Sequence, residues 1–523
     1  MRTTKPTDQA HVIAFLGEPA TYGVDKVERF ETHGNLVFLA GADAYKIKRA
    51  VSLPYMDFST LEKREQACAR EVEVNRRLAA DLYLGAIAIA RTASGSLTLG
   101  GSGEVVEWAV HMRRFDQSAL LSNLAAAQAI GPDLARAVAD AVLESHRSAT
   151  PAAARAGGAR QMGSLARSLS EAFARLKAFD GGKAGRFARA VERQLARAAA
   201  ILDERAHKGC LRRCHGDLHL GNIVLWEGRP VLFDAIEFDE ALATVDPLYD
   251  LAFLLMDLDR HRQRGAANIV LNRYLWCNND ELTLRGLAAL PLFLGCRAGI
   301  RAMVTADRAA QQSHDGAHEA CKSATQYLRA ALAYLQPAAP RLVAVGGVSG
   351  TGKTTLAAAL APGLGAAPGA VHLRSDLERK RLFAVAETTR LPASSYTPQA
   401  SAQVYATLLD KAQAVLSAGQ SVIADAVYAA PEERAAIEAV AATLGVAFQG
   451  FWLSAAEGTL LRRVEQRRGD ASDATGEVVR RQLTENVGPI APTWVRLEAG
   501  GSAEEVQRQA AAVLVDGSSI EKT

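Results

Sequence analysis

Eight residues in the second half of the chain constrain its fold most. Gly347-Val348-Ser349-Gly350-Thr351-Gly352-Lys353-Thr354 fits the pattern GxxxxGK[ST] in full. The apolar run Leu342 to Val345 enters this loop as a strand, and Thr355-Leu356-Ala357-Ala358-Ala359-Leu360 leaves it as a helix. Glycines here let backbone N–H groups converge on one anion, and the helix N-terminus adds positive potential. Gly347, Ser349, Gly350, Thr351, Gly352, Lys353, Thr354 and Thr355 are therefore candidate ligands of a nucleotide's phosphates. Lys353 would reach the β- and γ-phosphates, and the Thr354 hydroxyl would hold Mg²⁺.

The neighbouring sequence supports a sheet around that loop. Val371 to Leu373, Val422 to Ala424 and Phe448 to Leu453 are short apolar runs with helical segments between them. Strands alternating with helices imply a parallel sheet covered on both faces. In such sheets the carboxyl ends of strands line the ligand crevice. Asp376 and Asp425 fall at two of those ends. A carboxylate there can accept a substrate proton or order Mg²⁺, and Asp425 is assigned to the metal. The alternative for each is a helix N-cap. Arg462, Arg463, Arg467 and Arg468 follow further on. Arg463 and Arg467, four apart, are expected on one helical face, where they would stabilise a transferring phosphoryl group or form a solvated surface.

From Arg341 onward the chain resembles the P-loop kinases of the nucleoside-monophosphate, shikimate and polynucleotide kinase type. The matching residues are the loop itself, Arg374-Ser375-Asp376, Asp425, and the arginines before Ser472-Asp473-Ala474. The resemblance implies an α/β P-loop domain in which Asp376 is the catalytic base and Arg463 and Arg467 are lid arginines.

The first half carries a second constellation. Cys214-His215-Gly216-Asp217-Leu218-His219-Leu220-Gly221-Asn222 contains HxDxxxxN, and Asp234 follows at the end of the apolar run Pro230-Val231-Leu232-Phe233. Asp217 can take a proton from an attacking hydroxyl, while Asn222 and Asp234 can grip the Mg²⁺ of ATP. His215 would brace the loop. Upstream, Leu36 to Ala40 and Ala44 to Ile47 read as a hairpin around Gly41-Ala42-Asp43, and Glu62 to Ala80 as an amphipathic helix. Lys46 is expected to pair with the phosphates and Glu71 to hold it. Lys48 points to the same face and is a rival. Thr32 to Asn35 could cover the phosphates. Asp239, Asp246 and Asp250 are expected to be structural.

These residues resemble the aminoglycoside phosphotransferase family, a branch of the protein-kinase-like fold, through HGDLHLGN and FDAIEFD. The resemblance covers roughly Val27 to Leu335. It implies an α+β half with a small sheet lobe and a larger helical lobe, a catalytic Asp217, and Mg²⁺ on Asn222 and Asp234. The whole chain resembles bacterial proteins that fuse a phosphotransferase-like half to a P-loop half.

Bulk properties fit this reading. A chain of 523 residues exceeds one ordinary core. With 49% hydrophobic and 22% charged residues it reads as globular. A net charge of +3 leaves no overall footprint for nucleic acid or membrane. No run reaches the about 18 uncharged apolar residues of a membrane helix. The N-terminus has no apolar signal core, and six scattered cysteines suggest reduced thiols in a cytoplasmic protein. Gln336-Pro337-Ala338-Ala339-Pro340 breaks the chain. The expected order is a tail (1–25), a phosphotransferase-like domain (26–335), the linker, a P-loop domain (341–516) and a tail (517–523). The expected activity is phosphoryl transfer from ATP to a small-molecule hydroxyl or amine. A nucleotide-gated regulator and a nucleic-acid 5′-end kinase are the alternatives.

Overall fold

Apolar residues alternate along the first strands, and the first sheet follows that alternation. The structure is a computed structural model that describes residues 9–32, 34–53, 56–152, 157–176, 178–179, 181–309, 314–467 and 469–520. The first strands are β1 (Val27–Glu31), β2 (Asn35–Ala40), β3 (Asp43–Lys48), β4 (Tyr83–Arg91), β5 (Leu97–Leu99) and β6 (Glu104–Arg113). They form one antiparallel sheet in the order β1-β2-β3-β6-β4-β5. Gly41 supplies the positive φ (59°) of the tight β2–β3 turn, which pairs Ala40 with Asp43 and Val37 with Lys46.

Side chains two apart share a face. Leu36, Phe38 and Ile47 pack on Val12 and Leu16. Those last two lie on a helix, Ala10–Gly17, inside the segment expected as a tail. Leu39 and Ala44 face the other way, onto Cys68 and Val72 of helix Leu61–Arg76. Lys46 and Lys48 share that second face with Ala44.

The HxDxxxxN loop lies between a two-residue strand at Arg212–Arg213 and the hairpin of β7 (Ile223–Trp226) and β8 (Arg229–Leu232). Helix Pro247–Arg260 follows, with Asp246 as its N-cap and Pro247 in its first turn. Asp239 likewise caps Glu240–Ala243.

The second sheet is all parallel. Its strands are β9 (Arg341–Gly346), β10 (Val371–Arg374), β11 (Val422–Asp425), β12 (Ala447–Ser454) and β13 (Trp494–Glu498), in the order β10-β11-β9-β12-β13. Val343, Val345, Ile423 and Phe451 bury against Leu356 and Leu360 of the helix after the loop, and against Val506 and Ala510 of the last helix. That helix, Ala503–Ile520, runs into the segment expected as a C-terminal tail.

Packing does not follow chain order. One compact unit holds Met1–Ala156 and Ala206–Gln263, the other Gly157–Arg205 and Arg264–Thr523. Helices Gly158–Arg175, Gly181–His207, Arg264–Asn278, Leu290–Ala309 and His314–Tyr334 therefore group with the parallel sheet, although they precede the proline-rich break. Helix Arg264–Asn278 lies on the edge strand β10, where the Asn268 amide donates to the Ala370 carbonyl at 3.0 Å. No membrane span is expected from sequence, yet the helical run Glu281–Ala309 is long and apolar enough to cross one. Since 67% of its most apolar window is buried in the protein, it reads as a core helix.

Candidate active sites

In the first unit two lysines converge on one buried glutamate. Lys46 Nζ lies 2.9 Å from Glu71 Oε1 and 2.5 Å from Asp234 Oδ1. Lys48 Nζ lies 2.6 Å from Glu71 Oε2 and also pairs with Glu237. Burial alone would pull Lys46 down, but Asp234 and then Glu71 hold it well above its ordinary value. Burial would raise Glu71, but Lys46 and Lys48 bring it down to about 2. Burial raises Glu237. The Lys46–Lys48 rivalry resolves into two positions: Lys46 sits beside Asp234, and Lys48 is enclosed behind it.

The Lys48 pair makes a stability prediction. Lys48→Met would leave Glu237 and one oxygen of Glu71 buried without a cation. A loss on the order of 3–5 kcal/mol is expected, read from urea unfolding midpoints.

Asp234 is held in an unusual backbone state, φ 62°, that non-glycine residues seldom adopt. Its N–H donates to Tyr83 Oη at 3.1 Å, and the next N–H, of Ala235, donates to Asn75 Oδ1 at 2.7 Å. Asn75 lies one turn beyond Glu71, so one helix fixes both the lysine's partner and the turn that carries Asp234. Strand β8 ends at Leu232, two residues earlier than Asp234.

The HxDxxxxN loop is tied to the same turn. His215 Nε2 lies 2.9 Å from the Phe233 carbonyl oxygen, and Phe233 N–H donates to the Asn222 carbonyl at 3.0 Å. The N–H groups of His215 and Gly216 donate to Asp250 at 3.2 and 2.9 Å. Asn222 Nδ2 donates to Asp217 Oδ2 at 3.2 Å. Asp217 and Asp234 keep side chains 42% and 39% exposed amid buried partners. Both carboxylates act electrostatically on His215, which burial shifts downward. His215, expected from sequence to brace the loop, is fully buried and bonded to the Phe233 carbonyl, so it serves catalysis only as a brace.

In the second unit the Gly-rich loop turns through glycines with positive φ: 135° at Gly347, 88° at Gly350 and 89° at Gly352. A Cβ on Gly350 would come within 2.8 Å of the Leu460 carbonyl oxygen, so glycine is required there. Lys353 opens helix Lys353–Leu360, and its Nζ donates to the Val348 carbonyl at 3.1 Å. Burial lowers its pKa against the pull of Asp425 and Asp376.

A cavity of about 340 Å³ opens beside the loop, lined among others by Lys353, Thr354, Asp376, Asp425, Arg467 and Asp470. Asp376 lies in the first turn of helix Ser375–Leu382, just past β10. Burial, and then Asp425, raise its pKa. Burial would also raise Asp425, but a hydrogen bond with His372 Nε2 at 2.8 Å, together with the charges of His372, Arg374 and Lys353, holds it below its ordinary value. Ser349 N–H donates to Gln482 Oε1 at 2.8 Å.

The arginines depart from expectation. Helix Glu457–Gln466 ends before Arg467, so Arg463 and Arg467 do not share a helical face. Arg463 donates to the carbonyls of Ala499 and Gly501 at 2.8 and 3.1 Å. Arg467 pairs with Asp470 at 3.3 Å and acts on Lys353 across the cavity. Arg468 and His33, the latter in the loop proposed to cover the phosphates, lie outside the described residues.

Comparison with known proteins matches residues 46–289 to the phosphotransferase enzyme family and 342–487 to the AAA domain. The uncharacterised protein Rv2004c of Mycobacterium tuberculosis is 33% identical over 457 residues, covering 86% of this chain and 88% of that one. The chain belongs to the bacterial family that fuses a phosphotransferase half to an AAA-type P-loop half. Among solved structures, this fusion protein is similar to a choline/ethanolamine kinase family protein from Mesorhizobium loti. The identity is 16%, with 62% of this chain and 98% of that one covered, at a TM-score of 0.38. It is also similar to the APS kinase of Mycobacterium tuberculosis, at 22% identity, 34% and 99% coverage and a TM-score of 0.26.

The fusion protein is a kinase, that is, an ATP-dependent phosphotransferase. Its structure brings together Lys46, Glu71 and Asp234 in one cluster and Asp217 with Asn222 beside it. Lys353, Thr354, Asp376 and Asp425 meet in the second unit. Sequence reasoning missed Glu237, His372, Asp470 and Gln482 as members of these sites. A signal existed for Glu237: two lysines on one buried face require more than one carboxylate. His372 carried a weaker one, being two residues from Arg374 and so on the same face of β10.

Proposed function

We propose that this kinase has two nucleotide sites, each using ATP with Mg²⁺, and that at least one phosphorylates a hydroxyl or amine of a small molecule. One observation carries the reading. Each site independently sets a lysine against two carboxylates, the buried Lys46 against Glu71 and Asp234, and the half-buried Lys353 against Asp425 and Asp376 around one cavity. A polyphosphate needs such a lysine, and its metal needs such carboxylates.

The candidate metal ligands are all oxygen donors, as a hard cation prefers. In the first site they are Asn222 Oδ1 and Asp234. In the second they are the Thr354 hydroxyl and Asp425, whose crowding with Asp376 a cation would relieve. Bound there, Mg²⁺ would neutralise charge on the phosphates. Asp217, oriented by Asn222, would accept the acceptor's proton, and Lys46 would exchange Asp234 for a phosphate oxygen. In the second site Asp376, made more basic by burial, would accept the proton. Arg467, which lines the same cavity, would stabilise the transferred group. A neighbouring cavity of about 180 Å³, lined by Thr351, Thr355, Leu356, Leu453 and Val506, would take the nucleobase. The phosphate cavity is at the small end for ligand sites, which favours a small acceptor.

The two catalytic domains in chain order would be 26–335 and 341–516. A cytoplasmic location belongs to the same proposal, consistent with six cysteines of which none forms a disulfide. The test is turnover of ATP with a panel of small alcohols, sugars and amino alcohols, followed by mass spectrometry of the product. Phosphorylation of at least one acceptor, dependent on Asp217 or Lys353, is expected. Hydrolysis without transfer across a broad panel would point to a regulator instead.

A further inference from the structure

Edge strand β10 runs beside β11, with Arg374 paired in register to Asp425. Two residues back on the same face, His372 places Nε2 at 2.8 Å from Asp425 Oδ2, with its side chain 10% exposed. Asp425 is an ionised carboxylate and can only accept, so the proton in this hydrogen bond belongs to the imidazole. With Oδ2 committed, Oδ1 is the oxygen available to the cavity.

His372 is itself anchored. Its backbone N–H, which on an edge strand has no neighbouring strand to bond, donates to Asn272 Oδ1 at 2.7 Å. The Asn272 amide also donates to the Ala370 carbonyl at 3.2 Å. One residue on, Arg273 pairs with Glu387 at 2.7 Å, and Glu387 lies 3.9 Å from Arg374. Helix Arg264–Asn278 thus fixes the strand whose side chains fix Asp425. This helix precedes the linker and falls within the phosphotransferase match, yet its polar side chains serve the P-loop sheet.

We infer that His372 is a positioning residue of the second site, orienting Asp425 for the nucleotide's metal, and that Asn272, from the other sequence half, completes this arrangement. The inference rests on the proposed nucleotide site at Lys353. A carboxylate with one oxygen fixed by a histidine N–H is pre-aimed, and loss of such outer partners typically costs about 10- to 100-fold in metal affinity.

The test is binding of a fluorescent ATP analogue to the full chain, with Mg²⁺ and with EDTA. The second site is defined as the binding lost in Lys353→Ala. His372→Leu is expected to weaken its Mg²⁺-supported affinity about tenfold and leave the metal-free affinity unchanged. His372→Gln, which keeps an N–H donor, is expected to recover most of the loss. Asn272→Leu should move the same quantity in the same direction by a smaller amount. Three results would each overturn the inference: unchanged Mg²⁺ dependence in His372→Leu, equal loss with and without the metal, or a glutamine variant no better than leucine. If wild type shows no Lys353-dependent binding, the reading of the second site fails first and the inference falls with it.

Discussion

Asp217→Asn is expected to lower phosphoryl transfer at the first site by about 10²- to 10⁴-fold while ATP still binds. The change is isosteric, so the contact from Asn222 Nδ2 and the brace of His215 on Phe233 can persist. What disappears is the capacity to accept a proton from the acceptor. Of the groups that would hold the phosphates and metal, Lys46 and Asp234 share none of the contacts described above with Asp217, and Asn222, which does, still finds an acceptor oxygen on the asparagine. Steady-state kcat should therefore fall, with the Kd for ATP within about threefold of wild type, since removing a transition-state interaction leaves ground-state binding in place. Equal losses in kcat and ATP affinity would mean that Asp217 holds nucleotide and is not the base.

Lys353→Ala is expected to cost the second site about 10²- to 10³-fold in kcat/KM. Its half-buried side chain lines the cavity, and its influence falls on Asp376 and Asp425. Without it the two carboxylates lose a shared cation. Asp376, already raised by burial and by Asp425, would rise further. A base acts only when deprotonated, so the acid limb of any residual activity should move to higher pH, which a pH–rate profile reads directly. An unmoved acid limb would separate Lys353 from Asp376 and remove the argument for Asp376 as base.

Legibility in the sequence tracked locality. The loop from Gly347 to Thr354 and the run from His215 to Asn222 carry their chemistry in contiguous residues, because backbone N–H groups or one tight turn do the work. They could be read directly. The β2–β3 hairpin and four of the five parallel strands were legible for the same reason. Strand β13 was not, because Trp494–Glu498 mixes charged with apolar residues, unlike the nearly continuous apolar runs that mark the other four. The helix at Ala10–Gly17 looked like a tail because its partners, Leu36 and Phe38, lie in strands further along the chain. Glu237 and His372 act through partners 189 and 53 residues away, and no local pattern announces such pairs. The grouping of helices 264–334 with the parallel sheet depends on amide contacts such as Asn268 to Ala370, which leave no periodic trace. Arg463 lines the cavity together with Arg467, but the shared helical face expected of the two failed for a different reason. Spacing put Arg463 beside Arg467, but the helix ended one residue too early for that spacing to hold.

Counting nucleotides bound per chain addresses the matter most simply. Equilibrium binding of a non-hydrolysable ATP analogue with Mg²⁺ should titrate to two per wild-type chain. It should fall to one in Lys353→Ala and to one in Lys46→Ala, with neither substitution removing the other's site. Saturation at one nucleotide or none in the wild type, or two substitutions that abolish the same event, would contradict the presence of two separate lysine–carboxylate sites.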